Sequence, residues 1–172
     1  MLAKDAARSE KHTMIVTVDN EPGVLARVIG LFAGRGYNIE SLTVAEVDRS
    51  AHTSRITVVT SGTPAVIEQI RAQLGRLVPV HRVVDMTVEK VGIEREMALV
   101  KVAGTGEKRV EAMRVSQVFR AKALDTSHSS FVFEITGASD KIDAFIELMR
   151  PLGLVEVSRT GVAAISRGAE AL

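Results

Sequence analysis

Runs of β-branched residues alternate along this chain with segments of helical periodicity. Residues 14–18 are apolar and largely β-branched, a composition typical of a short buried strand. Apolar residues at helical spacing follow, and we expect them to form the buried stripe of a first helix: Leu25, Val28, Ile29 and Phe32. The Gly34-Arg35-Gly36 run is typical of the end of a helix, because glycine readily adopts the left-handed conformation found there.

A predicted hairpin and a second helix complete this pattern. Residues 37–47 and 53–60 are predicted to be the two strands of the hairpin. Thr63 is the expected N-cap of the second helix, and Pro64 suits its first turn, where an N–H would lack a partner anyway. Alternating side chains in residues 78–88 predict a last strand. The resulting order, β-α-β-β-α-β, is that of the ferredoxin-like fold.

The same order is predicted again in the second half of the chain. Residues 97–102 and 154–158 are its expected first and last strands, and residues 123–126 and 131–136 are expected to pair as a hairpin between them. Apolar residues at helical spacing predict the buried faces of two helices: Val110, Met113, Val118 and Phe119 in one, and Ile142, Phe145, Ile146 and Met149 in the other.

These patterns predict an α+β fold built from two consecutive ferredoxin-like βαββαβ units. We place the first domain at residues 13–90 and the second at residues 95–168, with residues 1–12 and 169–172 as flexible tails. Each unit would leave unpaired sheet edges, and pairing with a second chain is a common way to cover them. We therefore expect a homodimer.

The loop between the first strand and the first helix is the strongest candidate for ligand binding. Pro22 is expected in the first helical turn. Asp19, Asn20 and Glu21 would place acceptors beside the N–H groups that this turn leaves unpaired. Gly23 has no side chain, so a ligand can approach the backbone closely there.

A small carboxylate is the ligand that such a helix start favours. The N–H groups of Gly23, Val24 and Leu25 would point out of the positive end of the helix dipole. An amino acid would add an ammonium group, for which Asn20 or Asp19 offers oxygen acceptors. A well-capped helix start without any ligand uses the same residue types, so the local sequence leaves both interpretations open.

Composition excludes several classes of function. With 46% apolar and 3% aromatic residues, the core must be mainly aliphatic. The 22 basic and 21 acidic residues nearly cancel, which argues against binding to nucleic acid or to an anionic membrane surface. The absence of cysteine excludes disulfides and thiol catalysis, and it fits a reducing compartment. No apolar run approaches the ~20 residues that span a bilayer, so we expect a cytoplasmic protein.

The sequence contains no recognisable catalytic or metal-binding motif. The four histidines are scattered without ligand spacing, and we expect each at a surface or sheet edge: His12, His52, His81 and His128. No G-x-S-x-G elbow occurs. Gly104 and Gly106 follow a strand, but without the third glycine of a dinucleotide fingerprint they indicate a turn. We therefore expect no catalytic residue, metal site or cofactor in this chain.

A cluster of cations marks the first helix of the second unit, formed by Lys108, Arg109, Arg114, Arg120 and Lys122. It is either a solvated helix face or a docking face for an acidic partner. Ferredoxin-like sheets also bind RNA, usually by stacking bases on exposed strand aromatics. The predicted strands carry almost no aromatic residues, and Tyr37 is the only tyrosine. RNA binding is therefore a poor second hypothesis.

Two runs of sequence resemble a known family. Residues 20–25 (Asn-Glu-Pro-Gly-Val-Leu) resemble the signature of ACT domains, which bind amino acids. Residues 35–44 (Arg-Gly-Tyr-Asn-Ile-Glu-Ser-Leu-Thr-Val) are more specific and resemble the regulatory small subunits of acetolactate synthase. Further similarity occurs at residues 94–96, 98–102, 119–120, 141–145 and 166–168. The resemblance extends over nearly everything from His12 to Gly168 and identifies the first unit as an ACT domain.

The resemblance implies a division of labour between two chains. In this family a separate large subunit holds thiamine diphosphate, Mg and FAD, and condenses two pyruvates or pyruvate with 2-oxobutyrate. The small subunit is non-catalytic; it raises that activity and confers feedback inhibition by valine in branched-chain amino-acid biosynthesis. A free-standing ACT-type sensor of another enzyme remains the alternative.

The resemblance also implies a valine site shared between two protomers. Its contacts fall on Asn20, Gly23, Val24 and Leu25 of one protomer and on Asn38 and Ile39 of the other. The backbone N–H groups would bind the carboxylate, Asn20 the ammonium, and Leu25 with Ile39 the side chain. The preference among valine, leucine and isoleucine stays open, because one methylene changes binding by only ~1–3 kcal/mol in such a pocket.

Overall fold

The computed structural model describes residues 8–89 and 92–172, and the described part contains nine strands and five α-helices. Two compact units are formed: residues up to Ile93 together with Val162–Leu172, and Glu94–Gly161. The elements of the first are β1 (Glu10–Asp19), α1 (Val24–Gly34), β2 (Ser41–Asp48), β3 (Thr53–Gly62), α2 (Pro64–Leu74), β4 (Val80–Asp85) and α3 (Met86–Glu89). Next come β5 (Gly92–Ala103), α4 (Gly106–Val118), β6 (Lys122–Thr126), β7 (Ser130–Gly137), α5 (Ser139–Met149), a 3₁₀ turn (Arg150–Leu152), β8 (Leu154–Arg159) and β9 (Ala163–Ser166).

The predicted α+β fold with two βαββαβ units is confirmed. The first sheet is antiparallel with strand order β2-β3-β1-β4, so β2 and β4 are its edges. Alternate residues of β1 and β3 pack against α1 and α2. Their fully buried side chains form the first core, which includes Met14, Val16, Val18, Val28, Phe32, Ile56, Val58, Ile70 and Leu74.

The end of α1 and the start of α2 agree with the prediction. After α1 the N–H of Tyr37 donates to the Phe32 carbonyl at 3.0 Å, while Gly36 adopts a φ of 69°. This is a Schellman ending, which requires the left-handed conformation that glycine supplies. At the start of α2, Thr63 Oγ1 accepts the N–H of Val66 at 3.4 Å, and Pro64 is the first helical residue.

Strand β1 is longer at its N-terminal end than the apolar run predicted. Glu10 pairs with Gly62 and His12 with Thr60, so the backbone of β3 extends the ladder beyond the hydrophobic residues. Residues 10–12, predicted to belong to a flexible tail, are therefore part of the sheet. Residues 1–7 of that predicted tail lie outside the described residues.

Strand β4 ends three residues before the predicted end at residue 88. Asp85 Oδ1 accepts the N–H groups of Thr87 at 3.0 Å and Val88 at 3.3 Å, which turns the chain into the short helix α3. Asp85 Oδ2 lies 2.7 Å from Nδ1 of His12, and both side chains are buried. His12 was expected at a surface or sheet edge, and this prediction was wrong. The side chain can be buried because the Asp85 carboxylate is its partner.

The C-terminal segment, Val162–Leu172, covers the other face of the first sheet. Val162 N donates to Ser41 Oγ at 2.8 Å, and strand β9 pairs with β5. A second apolar cluster results, formed by Ile15, Val84, Met86, Ala164 and Leu172. The sequence placed residues 162–168 in the second domain and residues 169–172 in a tail, whereas the contacts group this segment with the first unit.

Adjacent residues of β9 provide a matched test of this packing. Ala164 is 7% exposed and Ile165 is 56% exposed. We expect Ala164→Asp to lower the free energy of unfolding of the first unit by about 2–4 kcal/mol, because it buries an unpaired carboxylate. Ile165→Asp should change it by less than about 1 kcal/mol. Urea unfolding followed by the fluorescence of Tyr37 measures both, since this only tyrosine packs on the first core. Equal losses would contradict the observed orientation of β9.

The second unit repeats the plan with strand order β6-β7-β5-β8. All four residues predicted for the buried face of α5 are buried, namely Ile142, Phe145, Ile146 and Met149. The prediction for α4 was partly wrong: Val110 and Val118 are 61% and 79% exposed, while Ala112 and Ser116 are buried. Small side chains occupy the buried stripe of α4, so the bulkier valines at neighbouring positions face solvent.

Candidate functional site

Helix α1 begins at Val24, later than the start predicted at or just after Pro22. Its N-cap is Gly23, with a φ of 85°, and no side chain caps the helix. The predicted position of Pro22 in the first turn is therefore wrong, as is capping by the side chains before it. The N–H of Val24 donates instead to the main-chain carbonyl of Glu21 at 3.3 Å. The left-handed conformation of Gly23 makes the sharp turn that a residue with a side chain would adopt only under strain.

Three backbone N–H groups are left for a ligand at this helix start. Those of Gly23, Leu25 and Ala26 have no acceptor among the described residues. All three residues are exposed, and they lie at the positive end of the α1 dipole. Val24 was predicted to contact the ligand, but its N–H already donates to Glu21 and its side chain is only 4% exposed. It is therefore not available for ligand binding in this structure. Ala26 was not predicted, since the helix start was placed too early.

Asn20 is held at the end of β1 by two hydrogen bonds. Its main-chain N–H donates to the His52 carbonyl at 2.6 Å, and its Nδ2 donates to Glu46 Oε1 at 3.0 Å. The carboxamide oxygen is thereby turned away from Glu46 and can accept from a cation. Asp19, the other candidate for this role, is paired with Nε2 of His81 at 2.5 Å. The structure therefore favours Asn20 over Asp19.

Glu46 is a site residue that the sequence reasoning missed. It lies near the end of β2, pairs with Ser54 of β3 and orients Asn20. A signal was present: Leu42, Val44 and Glu46 share one face of the strand, and a carboxylate replaces the third apolar residue. Its charge adds to the negative potential beside the Asn20 carboxamide.

Leu25 lies on the solvent side of α1, contrary to the predicted buried stripe. It is 37% exposed, whereas Val24 and Leu31 are buried in its place together with the correctly predicted Val28 and Phe32. Val24, Val28, Leu31 and Phe32 recur at helical spacing, so the buried stripe is displaced around the axis from the predicted one. An exposed Leu25 beside the unpaired N–H groups is available for an apolar ligand group.

Asn38 and Ile39 lie at the opposite end of the first sheet. The main-chain carbonyl of Asn38 accepts from Thr60 Oγ1 at 2.6 Å. The Asn38 side chain is exposed, and Ile39 is half-buried against the first core. Glu40 follows Ile39 in the chain. The hydroxyl of Ser61 and the ammonium of Lys11 hold the pKa of its carboxyl below the ordinary value, although partial burial acts to raise it. Both polar groups engage Glu40.

The two halves of the predicted valine site are far apart within one chain. Thr60, which binds Asn38, pairs with His12 of β1, while Asn20 follows the other end of that strand. At the usual rise of ~3.3 Å per residue, the strand from His12 to Asn20 spans about 25 Å. A single small amino acid cannot contact Asn20 and Asn38 of the same chain.

The basic cluster of the second unit is less uniform than its sequence suggests. The guanidinium of Arg109 lies 4.0 Å from the centroid of the Phe131 ring, a cation–π contact that engages it within the unit. Arg114 pairs with Glu111 at 3.4 Å. Among the described residues, Lys108, Arg120 and Lys122 have no ion-pair partner.

No group of three metal-ligating side chains occurs within residues 8–89 and 92–172. Over the same residues no helix has the length and hydrophobicity to cross a membrane.

Comparison with known families and proteins decides the affiliation. Residues 14–82 match the family described as "AHAS small subunit-like ACT domain", and residues 95–168 match "Small subunit of acetolactate synthase". The probable acetolactate synthase small subunit of Archaeoglobus fulgidus is 48% identical over 158 residues, which cover 92% of this chain and 98% of that protein. The chain belongs to the acetolactate synthase small-subunit family.

Other relatives agree with this assignment. The small subunit of acetolactate synthase isozyme 3 from Escherichia coli is 43% identical over 159 residues, which cover 92% of this chain and 96% of that protein. The crystal structure of the acetolactate synthase small subunit from Thermotoga maritima superposes with a TM-score of 0.82 at 38% identity, covering 94% of this chain and 99% of that one.

The family resemblance and the ferredoxin-like fold are therefore confirmed. Membership of the acetolactate synthase small-subunit family, with an ACT domain, gives the chain a regulatory role in branched-chain amino-acid biosynthesis and implies a large catalytic subunit as its partner.

Proposed function

We propose that this small subunit activates the acetolactate synthase large subunit and makes it sensitive to feedback inhibition by valine. The observation that carries the proposal is the start of α1, where the N–H groups of Gly23, Leu25 and Ala26 lack acceptors among the described residues. Together with the helix dipole they suit a carboxylate. The neighbouring carboxamide oxygen of Asn20, fixed by Glu46, suits an ammonium group. A free amino acid carries both groups.

The proposed site is completed by a second copy of the chain through β2. This edge strand exposes Val44 and Val47, which are 41% and 54% accessible. When two identical strands pair antiparallel, the start of one lies beside the end of the other. Asn38 and Ile39 precede the start of β2, and Asn20 is bonded to Glu46 near its end. Such pairing would bring Asn38 of one protomer to Asn20 of its partner and generate two equivalent sites.

The side chain of the effector would lie between the exposed Leu25 and the half-buried Ile39 of the second protomer. Both are aliphatic, which favours a branched apolar side chain over a polar one. Valine, leucine and isoleucine differ there by one methylene or by the branching position, so their ranking is to be measured rather than inferred.

The division of labour places catalysis in the large subunit. Thiamine diphosphate, Mg and FAD are proposed to bind that partner, and the described residues of this chain supply no cluster of carboxylates or histidines for a metal. The work proposed for this chain is to bind valine and transmit its presence.

We expect the purified chain alone to form no acetolactate, even with pyruvate and all three cofactors supplied. Adding it to the large subunit of the same organism should raise the rate, and valine should lower the raised rate in a saturable way. Acetolactate formation across a valine titration, with and without this chain, measures both effects. Turnover by the chain alone would overturn the assignment of roles. Valine binding without any effect on the large subunit would instead favour a free-standing sensor.

A further inference from the structure

A basic groove follows the other edge of the first sheet. It has a volume of about 390 Å³ and lies between β4 and the C-terminal half of α2. Both elements contribute basic side chains to its lining: Arg71 and Arg76 come from α2 and the turn after it, and Arg82 with the imidazole of His81 from β4. Glu68 is the one acidic residue among those that line it.

The charges of this groove are only partly neutralised within the chain. Glu68 pairs with Arg71 at 3.1 Å, and His81 pairs with Asp19 at 2.5 Å. Arg76 and Arg82 are exposed and have neither an ion pair nor a side-chain hydrogen bond with any described residue. Two fixed positive charges therefore face the groove without partners, which favours an anionic occupant.

Strand β4 offers backbone groups as well as charge. It pairs with β1 on one side only, so the N–H and C=O groups of alternate residues on its other side lack ladder partners. An extended peptide can add to such an edge, with main-chain hydrogen bonds supplying affinity and flanking side chains supplying specificity. The combination of an open edge and a cationic groove beside it fits an extended acidic segment.

We propose that an acidic, extended segment of the large subunit docks in this groove and adds a strand beside β4. The inference rests on the proposed function, because it names the surface through which the small subunit engages the large one. Under this proposal the two edges of the first sheet have different partners: β2 would pair with a second small subunit, and β4 with the large subunit.

Charge reversal tests the proposal with a matched control. Arg76→Glu combined with Arg82→Glu changes the net charge by four units in the groove. Lys108→Glu combined with Lys122→Glu makes the same change in the basic cluster of the second unit, whose two lysines also have no ion-pair partner among the described residues. Sedimentation velocity with the purified large subunit at low salt gives the dissociation constant, and acetolactate formation gives the concentration for half-maximal activation.

We expect the groove variant to bind roughly tenfold more weakly or worse, and to need correspondingly more protein for activation. The control should behave as the wild type. Valine titration by calorimetry should be unchanged in both, which shows that the first unit is folded. An unchanged dissociation constant of the groove variant would overturn the proposal and assign the arginines to protection of the edge against self-association. An equal loss in the control would also overturn it.

Hydrogen exchange on the wild-type complex gives a second readout that needs no variant. Amides of Val80–Asp85 that face away from β1 should exchange more slowly when the large subunit is bound, whereas those of the edge strand Lys122–Thr126 should not change. Unprotected β4 amides in a formed complex would contradict strand addition. If the wild type neither binds nor activates the large subunit, the proposed function itself fails. If it activates while the groove variant does so equally, only the docking inference fails.

Discussion

Gly23→Asp should weaken valine binding roughly a hundredfold or more and abolish feedback inhibition, while activation of the large subunit persists. The new carboxylate would lie at the N-cap of α1, where it would occupy the N–H groups of Leu25 and Ala26 as an ordinary cap does. The effector carboxylate would then lose charge-assisted hydrogen bonds and meet a like charge. Each lost bond of this kind is worth ~1.5–3 kcal/mol, so two account for the expected loss.

Gly23→Asn is the control for this variant. Gly23 has a φ of 85°, and asparagine and aspartate tolerate the left-handed region about equally. A Cβ at this position meets no atom within 4 Å, so either residue can be introduced without a clash at its Cβ. The two variants therefore differ mainly in charge. The asparagine oxygen can accept from the same two N–H groups, so both variants should lose those hydrogen bonds, and the further loss of valine affinity in Gly23→Asp measures the repulsion between two carboxylates. Calorimetry with valine and the inhibition curve of the reconstituted enzyme measure the difference. If valine inhibited the Gly23→Asp enzyme as it does the wild type, the carboxylate of valine would have to bind at another position.

A dimer of two different mutant chains should regain half of the tight valine sites. Asn20→Ala and Asn38→Ala should each weaken binding roughly ten- to hundredfold in their own homodimers, because each removes a hydrogen bond to a charged group worth ~1.5–3 kcal/mol. In the mixed dimer one shared site carries both lesions and the other carries neither. Calorimetric titration of the purified mixed dimer should therefore give one site of wild-type affinity per dimer.

A dimer of a double-mutant chain and a wild-type chain serves as the control, because here a shared site predicts no tight binding. A chain carrying both Asn20→Ala and Asn38→Ala, paired with a wild-type chain, gives two shared sites with one lesion each and no tight site. A site held within one chain would produce the opposite pattern, with one tight site in this dimer and none in the first. The ~25 Å between the two asparagines along β1 is the physical reason for expecting the shared pattern.

The sequence determined the elements of the fold because local rules decide them. The β-branched run of β1, the Gly36 ending of α1, and the Thr63 and Pro64 start of α2 are properties of a few adjacent residues, and each was predicted correctly. The loop after β1 was also found from sequence, since Gly23 and the polar residues before it are unusual between two apolar segments.

Long-range contacts decided the rest. Asp85 ends β4 because its carboxylate accepts from two following N–H groups and pairs with His12, which lies 73 positions away. No local pattern in the C-terminal segment reveals its partner, and its position is decided by contacts with Ile15 and Val84 on the first sheet. No periodicity could show that Asn20 would be oriented by Glu46 or that Asn38 would lie at the far end of the sheet. The sequence thus determined which residues form the strands, helices and candidate loop, whereas only the tertiary structure decided how far apart the binding residues lie, because strand register brings together residues that are distant in sequence.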